Sequence, residues 1–305
     1  MPSTRSCPGE GGDTAPVIDV AYVTYKVDLD DPHADIDFDI PLLTDALNAV
    51  GLSVVVAAWD DPHIDWASAS LVLVRSAWDY VPRRRQFLDW ARGVSTSTRL
   101  ENPFDVVLHN TDKVYLRALE RQGVHIVPTS WLSDGASAES AITSVRARFG
   151  PAVVVKPTVS AGALDTIRTS EPTEASAQVY AILATGRTAM IQPYLESVEG
   201  EGETSIVFLD GEISHAVRKV PALTEGGHGD PSGLVALTPE LRDTAVAIMN
   251  TADARGLLYA RVDLVRDGRG ALALMELELT EPTLFLPQAP HAATTLAMAI
   301  LRRLR

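Results

Sequence analysis

The sequence predicts a mixed α/β (α+β) protein, with a parallel α/β unit at its N-terminus followed by a small central α/β part and a C-terminal one that carries antiparallel hairpins. Three observations point to it. Apolar, β-branched runs alternate with helical patterns as far as residue 103, the order that builds a parallel sheet. Further on, 203–220 and 259–282 each read as a hairpin, two alternating strands that turn at "LDGE" and at "DGRG". With 46% hydrophobic residues the chain can bury a core of that size, so a largely disordered protein is not expected.

Residues 1–16 (MPSTRSCPGEGGDTAP) lack the apolar segment of a secretory signal and read as a disordered tail. "VIDVAYVTY" (17–25) is a buried strand. An acidic loop, 28–39, joins it to "DIPLLTDALNAVG" (39–51), whose apolar spacing is helical and whose Gly51 is a suitable C-cap. "LSVVVAAW" (52–59) and "ASLVLVRSAW" (69–78) are strands, and the basic, amphipathic "RRRQFLDWARG" (83–93) is a helix. Within 102–129 a helix is expected from Thr111 to Gln122, closed by Gly123. "AVVVKP" (152–157) is a strand that stops at Pro157 before the small-residue turn "TVSAGA", and "TAMIQPYL" (188–195) is another strand. "PALTEGGHGDPSG" (221–233) reads as a long mobile loop and 239–256 as an amphipathic helix, and the residues beyond Pro282 are expected to be helical. The expected division is a tail at 1–16, an N-terminal α/β domain at 17–103, a central domain at 104–190 and a C-terminal domain at 191–305.

Charge and cysteine content exclude several functions. A net charge of −14 opposes non-specific binding to nucleic acid. The single cysteine, Cys7, permits neither an intramolecular disulfide nor a cysteine-based metal site. No apolar run approaches the roughly 20 residues that span a bilayer. A cytoplasmic protein acting on a small molecule is the simplest expectation.

"MELELTEP" (275–282) sets acids alternately with leucines, which is costly in a buried strand unless the acids are neutralised. In an antiparallel pair about "DGRG", Asp263 falls near Glu276 and Arg261 near Glu278, and period-two alternation puts all four on one face. Carboxylates so placed suit a hard cation such as Mg²⁺, although a solvated edge hairpin would show the same alternation. Lys156, before the small-residue turn, can reach a phosphate held by the turn's N–H groups, or can simply extend into solvent. Lys113 at a helix start opposes the helix dipole, which an anionic partner would relieve. "IQPYLESVEGE" (191–201) joins an extended segment to several acids, fit for a purine edge and ribose hydroxyls or for an acidic surface loop.

The order of these features, from Asn102 to Pro282, resembles the ATP-grasp superfamily. The resemblance implies an ATP-grasp fold in which the N-terminal α/β domain is followed by two subdomains that clamp the nucleotide. It makes Lys113 and Lys156 the phosphate-holding lysines and Ser160, Ala161, Gly162 and Ala163 the loop that closes on the phosphates. Gln192, Tyr194 and Leu195 become the adenine hinge, and Glu199 the ribose ligand. Asp263, Glu276 and Glu278 become ligands of two Mg²⁺ ions, and Arg261 the arginine that steadies an acyl-phosphate and its tetrahedral successor. Many members have Glu-x-Asn where this chain has Glu-x-Glu, and the extra negative charge still suits Mg²⁺. "LVRSAWDY" (73–80), 102–129 and "LELTEPTLFL" (277–286) further resemble the branch that includes the O-ureido-D-serine cyclo-ligases of D-cycloserine biosynthesis. The activity implied is phosphorylation of a substrate carboxylate, then attack on the acyl-phosphate by a nitrogen of the same molecule. A homodimer is a common state of relatives.

Substrate contacts are sought where β-strands of a parallel sheet end, at Arg75, Ser76 and Asp79, with Arg75 suited to a carboxylate and Asp79 to an ammonium, unless the two pair with each other. In "ISHAVRK", His215 and either Arg218 or Lys219 are expected to face the site, with Lys219 or Arg218 touching the transferring phosphate, and His228 lies in the Gly-rich loop. An intermolecular carboxylate–amine ligase and a non-catalytic ATP-binding module remain open, whereas a dinucleotide-binding reductase lacks its GxGxxG after the first strand.

Overall fold

The computed structural model describes residues 18–27, 36–219 and 231–305, so His228 lies outside the described residues. The N-terminal unit runs β1 (Ile18–Thr24), α1 (Asp39–Ala49), β2 (Val54–Ala58), β3 (Ala69–Ser76), a 3-10 turn (Trp78–Arg83), α2 (Arg84–Ser97) and β4 (Arg99–Glu101). The strands form one parallel sheet in the order β2-β1-β3-β4. Val20–Val23 and Leu71–Val74 are at most 1% exposed, which explains their continuous apolar runs, since helices cover both faces of a parallel sheet. α1 buries Leu43 and Leu47 on one face, and α2 buries Phe87, Leu88, Ala91 and Val94 on the other.

The helix expected from Thr111 to Gln122 is instead two, α3 (Phe104–Asn110) and α4 (Tyr115–Arg121), with Lys113 in the turn between them. Tertiary hydrogen bonds make the break. The Lys113 N–H donates to the Thr158 carbonyl at 2.8 Å rather than back along a helix. The Asn110 side chain is tied to Leu277 O at 2.7 Å and to Leu279 N–H at 2.6 Å. Then follow β5 (Ser130–Leu132), α5 (Ala138–Phe149), β6 (Val153–Pro157), β7 (Ile167–Thr169), α6 (Pro172–Ala184) and β8 (Ala189–Pro193). Their strands make an antiparallel sheet ordered β5-β8-β6-β7, with α5 and α6 packed over it.

After the single turn of α7 (Ser197–Gly200) come β9 (Glu203–Leu209), β10 (Glu212–Lys219), β11 (Pro231–Leu234), α8 (Pro239–Thr251), β12 (Tyr259–Arg266), β13 (Leu272–Glu278) and α9 (His291–Leu304). Their sheet is antiparallel, ordered β11-β10-β9-β12-β13. The end of the expected mobile loop is therefore an edge strand, β11. The β9–β10 turn takes positive φ at Asp210 (52°) and Gly211 (82°), the pair a tight hairpin needs. A Cβ on Gly211 would lie 2.2 Å from the Arg255 carbonyl oxygen, so only glycine fits.

The C-terminal helix returns to the first domain. α9 packs on α1, and Leu296 and Ile300 share one core with Leu43 of α1, Tyr22 and Leu73 of the first sheet and Val207 and Leu209 of the third. Buried Asp39 accepts the N–H groups of Leu284 and Leu286 at 2.7 and 2.8 Å, and Tyr259 donates to Val74 O at 2.6 Å. Among the described residues no helix is long and apolar enough to cross a membrane.

Candidate active site

A cavity of about 390 Å³ opens where the three sheets meet. Val127, Val154, Leu195 and Met275 give it apolar walls beside Gln192 and Tyr194. Lys113 and Lys156 reach it with the turn Ser160–Ala163, in which Gly162 and Ala163 both have positive φ. Glu203, Lys219, Arg261, Glu276 and Glu278 come from the third sheet, and Trp78, Tyr80, Glu281, Thr283 and Phe285 complete the wall.

The β12–β13 register pairs Arg261 with Glu278 and Asp263 with Glu276, as the hairpin requires. Four protein cations sit against these acids. Lys156 Nζ donates to Glu276 at 3.0 Å, Lys113 Nζ lies 3.6 Å from it, and Lys113 also donates to Ser160 O at 2.8 Å. Burial alone would raise the Glu276 pKa, but Lys113 and Lys156 outweigh it and bring it down to about 2. Arg261 bonds Glu278, whose pKa burial nevertheless raises. Lys219 contacts both Glu203 and Asp263. Burial pushes Glu203 up to about 7 against the pull of Lys219. Glu281 also rises to about 7, through burial and then the charge of Glu278.

Asp263 departs from the expected set of three metal acids. It is 1% exposed and stands behind the cavity wall, accepting from Arg261 Nε at 2.9 Å, from Arg261 Nη2 at 2.8 Å and from Lys219 at 3.1 Å. A carboxylate buried beside two cations is neutralised by them, and Arg261 and Lys219 hold its pKa below the usual carboxylate range despite burial. Among the described residues no three acidic or imidazole side chains form a metal cluster. Glu276 and Glu278 remain two hard oxygen donors on one face of β13 at the cavity wall, a donor set that suits Mg²⁺ when water and phosphate complete its shell.

Glu199 is not at the cavity either. Its carboxylate accepts from Arg168 at 2.7 Å and from the Tyr194 hydroxyl at 2.8 Å in an exposed position, and of the acids Glu196, Glu199, Glu201 and Glu203 it is Glu203 that lines the cavity. The substrate candidates from the end of β3 are all turned away. Arg75 is 1% exposed, donates to Pro282 O at 2.5 Å and lies over the Tyr259 ring. Ser76 donates to Thr24 Oγ1 at 2.9 Å, and Asp79 accepts from Trp59 at 2.7 Å and pairs with Arg83. Arg75 and Asp79 thus do not pair with each other. The same 3-10 turn brings Trp78 and Tyr80 to the cavity instead, so the location was legible but not which side chains turn inward. Alternation along β10 exposes Arg218 and gives Lys219 to the cavity. Glu281 lies past the end of β13, where alternation no longer predicts its direction.

His215 is buried behind the wall, with Nε2 2.9 Å from Leu284 O. Burial depresses its pKa to about 4 although that bond opposes the shift. A histidine held neutral in the fold but free to protonate when unfolded stabilises fully above its unfolded pKa, near 6.5, and loses that contribution as pH falls toward 4. The stability gap between wild type and His215→Gln should therefore shrink by about 3 kcal/mol from pH 7 to pH 4. Urea titrations across that range measure it, and a constant gap would contradict a buried neutral imidazole.

Comparison with known proteins supplies further findings. Residues 20–102 match the family described as D-cycloserine synthetase DcsG, N-terminal domain, and residues 121–287 match the prokaryotic glutathione synthetase ATP-grasp domain. The cycloserine biosynthesis protein DcsG of Streptomyces lavendulae is 34% identical over 308 residues, covering 94% of this chain and 99% of its own. The crystal structure of D-cycloserine synthetase DcsG aligns with a TM-score of 0.85 at 34% identity, over 94% of this chain and 99% of that one. The ATP-grasp ligase PsnB, complexed with a minimal precursor, shares the fold at a TM-score of 0.63 and 17% identity, over 94% of this chain and 99% of its own.

Proposed function

The chain belongs to the ATP-grasp ligases, among the relatives of D-cycloserine synthetase, and we propose that it uses ATP to close O-ureido-D-serine to D-cycloserine through an acyl-phosphate. One observation carries the chemistry: Lys113 and Lys156 converge on Glu276 at the wall of the one cavity that also holds Arg261, the small-residue turn and an apolar slot. Apolar walls with a few convergent polar groups are what a nucleotide base needs, and paired lysines beside open turn amides are what its phosphates need.

In this reading Val127, Val154, Leu195 and Met275 hold the adenine, with Gln192 and Tyr194 at its edge and Glu203 toward the ribose. Ser160, Gly162 and Ala163 close on the phosphates, which draw Lys113 and Lys156 away from Glu276. Glu276 and Glu278 would hold Mg²⁺, which supplies charge neutralisation for phosphoryl transfer. Arg261, fixed by Asp263, and Lys219 point positive charge at the carboxylate being activated, where negative charge grows on its oxygens. The arm's oxygen-bound nitrogen then attacks the acyl carbon and phosphate leaves, and water cleaves the bond from that nitrogen to the carbamoyl carbon, releasing carbamate, which breaks down to CO₂ and ammonia. Because the nucleophile belongs to the same molecule, the cavity needs only to fold the arm onto the carbonyl.

The test is ADP release by the purified protein with ATP, Mg²⁺ and O-ureido-D-serine, with no added amine, and chromatography of the product. Turnover that requires the substrate and yields D-cycloserine is expected. Turnover only when a carboxylate and a separate amine are supplied together would replace ring closure with an intermolecular ligase. No turnover with any carboxylate would leave an ATP-binding module.

A further inference from the structure

The cavity holds four carboxylates, and three of them are matched by a cation of the protein. Glu276 has Lys113 and Lys156, Glu278 has Arg261, and Glu203 has Lys219. Glu281 also lines the cavity, yet among the described residues no lysine, arginine or histidine lies within ion-pair distance of it. Its surroundings are aromatic, with Trp78, Tyr80 and Phe285 on the same wall.

The backbone that carries Glu281 is fixed from three sides. The Trp78 indole N–H donates to the Glu281 carbonyl at 3.0 Å, buried Arg75 holds the next carbonyl, Pro282 O, at 2.5 Å, and Arg261 donates to Thr283 O at 3.2 Å. A carboxylate held in place, with an aromatic wall and no cation paired to it among the described residues, suits a cation that arrives with the ligand. The amino-acid substrate of the ligase reading would bring such a cation, a primary ammonium, to this wall.

We propose that Glu281, with the Trp78 and Tyr80 rings, is the subsite for the α-ammonium of the amino-acid substrate. The inference rests on the ligase reading above and names how that site selects its substrate. It also accounts for which nitrogen attacks. An amine kept protonated against Glu281 has no lone pair to offer a second molecule's acyl-phosphate, and attack on its own would need a three-membered ring, so the nitrogen of the arm is the nucleophile left.

The experiment compares O-ureido-D-serine with its deamino analogue, 3-(ureidooxy)propanoate, through kcat/KM for ADP release by wild type, Glu281→Gln and Glu281→Asp. Wild type should prefer the amino substrate by on the order of 30- to 100-fold, Glu281→Gln should lose most of that preference, and Glu281→Asp should keep part of it. A wild-type preference near unity overturns the proposal whatever the variants do, as does a preference that survives in Glu281→Gln. A variant whose Mg²⁺ requirement shifts while its preference stays would assign the carboxylate to the metal instead. If wild type does not turn over O-ureido-D-serine, the ring-closing reading fails separately. The subsite is then read by calorimetric titration of the ATP-analogue-bound protein with D- and L-amino acids. A binder that weakens in Glu281→Gln upholds it, and no binder, or one indifferent to the change, overturns it.

Discussion

Glu276→Ala should lose at least about a thousandfold in kcat/KM for substrate-dependent ADP release, the scale expected for removing a charged group from the proposed phosphoryl-transfer site. Glu276 is the point where both lysines meet and one of two carboxylates available for Mg²⁺ on the wall. The variant should separate two roles. Without the carboxylate, Lys113 and Lys156 face an anion unopposed, so nucleotide binding measured without metal should be no weaker than in wild type. Binding of the magnesium–nucleotide complex should weaken and turnover should vanish. Retention of turnover within tenfold of wild type would sink the assignment of Glu276 to the reacting end of the cavity.

Asp263→Asn should be the most destabilising single change near the site, by about 3–5 kcal/mol, because it leaves Arg261 and Lys219 buried without their shared counter-charge. Denaturant unfolding at neutral pH measures it, and a loss under 1 kcal/mol would mean that the cations find other partners. The pH dependence runs with the depressed carboxylate. Asp263 is ionised in the fold well below the pH at which the unfolded chain takes up its proton, so its contribution is complete above the ordinary carboxylate range. It disappears only as acid drives the pH down through the folded value. The gap between wild type and Asp263→Asn should stay wide from pH 7 to about 5 and close in stronger acid. That window lies below the one in which His215 acts, so the two variants can be told apart by pH alone.

The hairpin that carries the acids could be read from sequence because its register is local. One turn at "DGRG" determines that Asp263 opposes Glu276 and Arg261 opposes Glu278, and no distant contact alters this. The same locality made β1, β3 and the β9–β10 turn readable. α5 and α6 were not read, since each buries a narrow stripe of three residues, Ala138, Ile142 and Val145 in one and Ala175, Val179 and Ile182 in the other. The break at Lys113 depends on Thr158 and Leu277, which are remote in sequence. The aromatic wall of the cavity depends on how a 3-10 turn of the first domain docks against residues 281–285, so Trp78, Tyr80 and Glu281 could be placed only in three dimensions. Asp263 was read on the correct face, but its burial among two cations follows from packing that alternation does not encode.

The return of α9 to α1 sets the order of events during synthesis. The strands of the first sheet are made before α9, yet the core over its α1 face is completed by Leu284, Leu286, Leu296 and Ile300, which follow every strand of the three sheets. Until those residues emerge, Tyr22, Leu43 and Leu73 lack part of the surface that buries them. The N-terminal domain therefore matures only once α9 has been made, and until then the nascent chain carries exposed apolar surface.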